Sequence, residues 1–140
     1  MPHPQRQVAI PFSTELGRDT SRGGPDIGDA IHVVVRGELD IAAVPQLDIA
    51  LRRAQAVADA VVLDLRELQF IDSSGAQLIL AADRRIRWSG GRLIVVRGPA
   101  EIDWFLALVG MDELLELVDR TNADAQATLV VNAGHAAGLD

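Results

Sequence analysis

The sequence predicts a single α/β domain, built on a mixed β-sheet of about four to five strands with helices packed mainly on one face. Three observations carry that expectation. The chain has 140 residues, the size of one domain that buries one core. Short β-branched runs alternate along it with segments of helical periodicity, and parallel strands need such helical crossovers. The order begins with a hairpin-like segment, so part of the sheet is antiparallel.

The first thirty residues are rich in Gly, Pro, Ser and Thr, with Ser21-Arg22-Gly23-Gly24-Pro25 the clearest linker-like patch. Residues 1–29 therefore read as an N-terminal extension, in which Val8–Phe12 or Phe12–Leu16 could pair as an edge strand. Ala30 to Arg36 is β-branched and reads as a strand ended by Gly37. Val44, Leu47, Leu51, Ala54 and Ala58 then fall at helical spacing, with Pro45 in the first turn, where a missing N–H costs little. Val61 to Leu65 is nearly continuous and apolar, the pattern of a central strand covered on both faces.

Leu78, Ile79, Ala82 and Ile86 form the stripe of a second helix that stops at Ser89-Gly90-Gly91. Leu93 to Val96 is the next strand. Pro99 opens a third helix with Ile102, Phe105, Leu106 and Val109 on one face and Gly110 at its end. Leu115 to Val118 reads as a last short strand. Thr121 and Asp124 resemble the cap of an alanine-rich helix reaching about Val131, and residues 133–140 read as a flexible tail.

Composition removes several functions. There is no cysteine, which excludes disulfides, thiolate metal sites and cysteine nucleophiles. All 13 basic residues are arginine, so Schiff-base chemistry and the phosphate-binding lysine of nucleotide-hydrolysing loops are excluded as well. A net charge of −7 opposes a general grip on nucleic acid and suits a basic or polar protein partner. Met1 to Ile10 lacks the apolar core of a signal peptide, and no stretch approaches the ~18 apolar residues of a membrane span. The expected location is the cytoplasm, with no membrane insertion.

The peptide Phe70-Ile71-Asp72-Ser73-Ser74-Gly75 places an acid, two hydroxyls and a glycine at the start of the second helix. Ser74 with Gln77 fits a capping box that leaves Ser73 free and outward; Asp72 or Ser73 would serve equally as the cap, and a cap alone would explain the motif. A catalytic serine needs a base, and the histidines are His3, His32 and His135, two near the ends and one on a strand. A metal-assisted phosphoacceptor built on Asp40, Asp64 and Asp72 would want a lysine, and the chain has none. Asp64, inside an apolar run, reads as an acceptor for backbone or arginine donors. These residues point to no catalytic group, metal site or cofactor.

Gly37-Glu38-Leu39-Asp40, then Val62-Leu63-Asp64-Leu65, then Phe70 to Gly75 occur in an order and spacing that resembles the STAS domain family, and most closely its bacterial anti-sigma factor antagonists. The resemblance runs from about Ile31 to Val131, with agreement at Trp88-Ser89-Gly90-Gly91 and Leu108-Val109-Gly110-Met111, and sets a domain of residues 30–132. Ala76-Gln77 departs from the Leu-Gly of many relatives. The resemblance implies a non-enzymatic adaptor whose Ser73 is phosphorylated by an anti-sigma factor that is also a serine-protein kinase. The unphosphorylated form would bind that factor and release the sigma factor; the phosphorylated form would not, and a serine phosphatase would reset it. Asp40, Asp72, Ser73, Ser74 and Gly75 are then the partner-binding residues, although Asp40 could simply cap the following helix. Two other readings stay open: an adaptor subunit of a transporter or signalling complex, and a nucleotide or small-ligand sensor at a crevice near Asp40 and Asp72.

Overall fold

A computed structural model describes residues 10–19 and 30–119 and the backbone of Thr128–Asn132. The linker patch 21–25, the Thr121/Asp124 cap, the tail 133–140, His3 and His135 lie outside the described residues.

Six strands form one sheet in the order β5-β4-β3-β2-β1-β6. They are β1 (Ser13–Asp19), β2 (Ala30–Leu39), β3 (Ala60–Ile71), β4 (Arg92–Val96), β5 (Glu116–Val118) and β6 (Thr128–Asn132). β2, β3, β4 and β5 run parallel to one another, and β1 is antiparallel to both β2 and β6. The sheet is mixed, as the alternation requires, with one strand more than expected. The extra strand is β6, in the segment expected to be helical. Thr128-Leu129-Val130-Val131-Asn132 is rich in β-branched residues, and it pairs with the open side of β1, so these five residues form a strand rather than the end of a helix. β1 consequently lies inside the sheet order.

Three helices cross between the parallel strands: α1 (Val44–Val57), α2 (Ser73–Trp88) and α3 (Ala100–Leu108). All three bury their apolar stripes in one cluster with alternate residues of the strands. Leu47, Leu51 and Ala54 of α1, Ile79, Ala82 and Ile86 of α2, and Ile102 and Leu106 of α3 meet Ile31, Val33, Val61, Leu63, Leu93 and Val95. The opposite side of the same strands holds a smaller cluster of Ala30, Ala60, Val62, Ile94 and Val96. β3 is therefore buried on both faces from Ala60 to Leu65, which is why its sequence reads as continuous rather than alternating.

Two strands run further than their apolar runs suggest. β3 continues to Ile71 because Leu68 and Ile71 remain buried while Glu67 and Phe70 face out. β2 continues through Gly37, which sits at φ +88° beside a register shift in the β2–β3 pairing. A Cβ there would lie 2.6 Å from the Ile10 carbonyl oxygen, so the residue that was expected to end the strand admits the chain preceding β1 instead. In α3, Val109 lies just past the helix and is exposed, and Phe105 is half-buried, so the buried stripe is narrower than the sequence suggests.

Candidate functional site

The parallel strands β2 and β3 end side by side, and the turns leading out of them form the site. β2 finishes at Leu39, so Asp40 opens the turn into α1; β3 finishes at Ile71, so Asp72 opens α2. The two corners are joined directly. The Asp72 N–H donates to the Leu39 carbonyl at 3.2 Å, and Gly75, in the first turn of α2, presses on Leu39. A Cβ on Gly75 would stand 2.6 Å from Leu39 Cγ and 2.8 Å from its carbonyl oxygen. Only glycine permits that approach, so Gly75 sets the distance between the two corners.

Asp72 is the N-cap of α2. Its Oδ1 accepts from the Gly75 N–H at 3.0 Å, and its backbone is extended, as a cap requires. The capping box on Ser74 and Gln77 is therefore not what starts the helix. The helix begins two residues earlier than that box needs, and the Asp72 carboxylate caps the first turn in its place. Ser73 becomes the first helical residue and is exposed, and Ser74 is half-buried beside it. No described residue hydrogen-bonds the Ser73 hydroxyl. The first turn of α2 holds no acidic side chain, so the positive end of the helix dipole faces the Ser73 hydroxyl without a carboxylate inside the helix to offset it.

Asp40 commits one carboxylate oxygen to its own turn: Oδ1 accepts from the N–H of Ala42 at 3.0 Å and of Ala43 at 3.1 Å. The N-cap of α1 is Ala43, with no side-chain cap of its own. Asp40 thus acts as a cap one turn ahead of the helix and stays half-exposed at the corner. Asp40, Asp72, Ser73, Ser74 and Gly75 are brought together at this one edge. Asp64 is not among them. It lies eight residues upstream of Asp72, buried within β3, and binds Arg66 through Nη2 at 2.7 Å and through the Arg66 backbone N–H at 3.0 Å. Three carboxylates do not converge, and among the described residues no group of three or more acidic or histidine side chains could hold a metal ion. His32 is buried in β2 and holds an interaction there.

The edge has two further features that the motifs do not disclose. Phe70 stands 46% exposed at the end of β3 and faces Trp104 and Phe105 of α3 across an open groove of about 500 Å³. A shallower recess of about 290 Å³ beside Asp40 is walled by Glu38 and Asp40 and by Ile10 and Phe12. Neither the exposure of Phe70 nor the groove was read from the sequence, because the groove pairs residues 34 positions apart. Glu38, Asp40, Asp72 and Glu101 all lie at this carboxyl edge of the sheet, whereas Arg85, Arg87 and Arg92 sit at the opposite end, where α2 stops and β4 starts.

No helix among the described residues is long and apolar enough to cross a membrane. The family model described as "Mlab, STAS domain" matches residues 26–119. Among curated proteins, the chain is 33% identical over 86 residues to Osmosensory protein A of Mycobacterium tuberculosis, covering 58% of this chain and 54% of that protein. It is 32% identical over 74 residues to the Anti-sigma F factor antagonist of Paenibacillus polymyxa, covering 53% of this chain and 62% of that one. The match thus spans less than two thirds of either relative. Among solved structures, an anti-sigma factor antagonist from Mycobacterium paratuberculosis superposes with a TM-score of 0.65 at 25% identity, over 86% of this chain and 97% of that one. The unphosphorylated form of the anti-sigma factor antagonist SpoIIAA shares the fold, with a TM-score of 0.58 at 24% identity over 69% and 84% of the two chains. With the family model matching more than half of its length, the chain belongs to the STAS domain family.

Proposed function

We propose that this protein is an anti-sigma factor antagonist of the cytoplasm, a non-enzymatic adaptor that binds an anti-sigma factor with serine kinase activity and is switched off by phosphorylation of Ser73. The observation that carries the reading is the position of Ser73: an exposed hydroxyl on the first residue of α2, next to a capping Asp72 and a second acidic corner at Asp40. The solved structure of an anti-sigma factor antagonist of the same fold supports it.

In the switching step the Ser73 oxygen attacks the γ-phosphorus of ATP held by the kinase. The bond from that phosphorus to the β–γ bridging oxygen breaks, ADP leaves, and the hydroxyl proton passes to a base of the kinase. Ser73 gains about −1.5 to −2 charge. The helix N-terminus tolerates the dianion, so the fold has no cause to rearrange, and the cost falls on the interface. A partner surface shaped for a neutral hydroxyl meets added bulk, and enclosing the dianion beside the carboxylates of Asp72 and Asp40 costs desolvation and like-charge repulsion. A loss of ~3 kcal/mol there is about a hundredfold in affinity. Removal of the phosphate by a serine phosphatase restores the hydroxyl.

A nucleotide-sensor reading has less support, since the recess beside Asp40 is lined by Glu38 and Asp40 and, among the described residues, by no arginine that could receive phosphate. The deciding experiment incubates the protein with ATP and the purified anti-sigma kinases of its source organism, maps the modified residue by mass spectrometry, and compares binding of wild type, Ser73→Ala and Ser73→Asp. Phosphate on Ser73 that is absent from Ser73→Ala, with binding lost in Ser73→Asp, is the expected result. No phosphate from any kinase, with binding indifferent to both substitutions, refutes the reading.

A further inference from the structure

α3 is apolar on both sides. Its only polar residues are Glu101 and Asp103; Ile102 and Leu106 are buried, while Trp104 is 65% and Leu108 64% exposed. A helix of that composition is ordinarily covered on both faces, and here its outer face borders the Phe70–Trp104–Phe105 groove. An exposed apolar cluster at a rimmed depression marks an interaction surface rather than scattered surface residues. Its neighbours say what would fit. The groove lies at the same end of β3 as the Ser73 corner, since Phe70 and Ile71 of its wall are followed in the chain by Asp72 and Ser73. Its charged wall residue is Glu101, and Glu38, Asp40 and Asp72 occupy the same edge of the sheet. Arg97, just past β4, stands 3.9 Å from the Asp103 carboxylate and 3.6 Å from that of Asp119, and does not line the groove.

We propose that this groove is a second attachment point for the anti-sigma factor, and that it receives an aliphatic or aromatic side chain carried on a basic segment of that partner. The proposal rests on the reading of Ser73 as the phosphorylated switch. It assigns the two halves of the interface different roles. The Ser73 corner responds to phosphorylation, and the groove supplies the buried aromatic anchor that carries affinity. The acidic rim selects a partner segment of the opposite charge.

The test uses the full chain and the purified anti-sigma kinases of the source organism with ADP. Trp88, 94% exposed at the far end of α2, is the internal control. In Trp88→Phe the only remaining tryptophan is Trp104, so its emission reports the groove alone; a blue shift and protection from acrylamide quenching are expected on binding. Trp104→Ala is expected to weaken binding about 30-fold, Glu101→Arg several-fold, and Trp88→Ala not at all. Unchanged thermal melting of Trp104→Ala shows that folding is not the cause, and Phe70→Ser serves as the second groove variant. If Ser73→Asp abolishes binding while Trp104→Ala and Phe70→Ser bind like wild type, the groove proposal is overturned and the proposed function stands. If Ser73→Asp also binds like wild type, or no anti-sigma factor binds at all, both fall. Sedimentation that shows a dimer lost in Trp104→Ala, with partner binding unaffected, assigns the groove to a second copy of this chain and likewise overturns the proposal.

Discussion

Replacing Gly75 by alanine tests the contact that holds the two corners together. The new Cβ would lie 2.6 Å from Leu39 Cγ, 2.8 Å from the Leu39 carbonyl oxygen and 2.9 Å from Leu39 Cδ2, against the ~3.5 Å or more of an ordinary carbon contact. Leu39 has nowhere to retreat, since its side chain is fully buried and its carbonyl accepts from the Asp72 N–H at 3.2 Å. The first turn of α2 must therefore move away from β2. Overpacking of this kind costs about 1–3 kcal/mol, and the better helix propensity of alanine returns at most about 1 kcal/mol. The expected net loss is about 1–2 kcal/mol. With a urea m-value of about 1–3 kcal/mol/M, the unfolding midpoint falls by roughly 0.5–1 M. Gly90→Ala is the comparison: a Cβ there meets nothing within 4 Å, so any cost comes from its φ of +86° alone. Binding of the anti-sigma factor should also weaken in Gly75→Ala and not in Gly90→Ala. A midpoint for Gly75→Ala equal to or above wild type would refute the reasoning, because it would mean that the corner yields without cost.

Asp72→Ala removes the only side-chain cap of α2 and is expected to cost about 1 kcal/mol in urea unfolding, with Asp72→Ser keeping most of it. Ser73→Asp should leave the midpoint unchanged or raise stability by a few tenths of a kcal/mol, because a carboxylate in the first turn favours the helix dipole, while binding is lost. The hydrogen bond from Arg92 holds the Glu116 carboxyl below the ordinary carboxylate range. A depressed folded value contributes stability above the unfolded value and loses it as pH falls through the folded one. Glu116→Gln should therefore destabilise the β4–β5 pairing by no more than about 1 kcal/mol at pH 7, with the difference from wild type vanishing in acid, as urea midpoints across pH would show.

Much of the architecture was legible because burial wrote it into the periodicity. The continuous run Val61 to Leu65 announced a strand covered on both faces, and the stripes of α1 and α2 announced helices on one side. What periodicity could not carry was anything set by a distant neighbour. The fate of residues 128–132 depended on the open side of β1, which lies over a hundred residues earlier. Gly37 reads as a stop in isolation and as a bulge once Ile10 approaches it. At the site, Asp72 to Gly75 was recognisable, but three competing caps were equally allowed by composition. The choice of Asp72 came from tertiary contact, in which Gly75 on Leu39 and the Asp72–Leu39 hydrogen bond fix where α2 starts. The groove left no sequence signal beyond an α3 that is too apolar on its outer side.

The position of Ser73 relative to that cap explains how one phosphate could switch binding without disturbing the fold. Were Ser73 itself the N-cap, its oxygen would be bound to a helix N–H, and phosphorylation would have to break that bond and loosen α2. With Asp72 as the cap, the hydroxyl has no structural duty among the described residues, and its modification costs the fold nothing that the dipole does not offset. The same arrangement puts the new dianion beside two carboxylates that are fixed in place, Asp72 by Gly75 and Asp40 by the N–H groups of Ala42 and Ala43. Neither can swing away to relieve its repulsion from the dianion when a partner closes over the corner and excludes water. A serine one position earlier would couple the signal to helix stability, and one a turn later would lie on a helix that extends away from the edge. On the proposed reading, Ser73 is the position in α2 where charge reaches the partner at full strength and the protein itself at almost none.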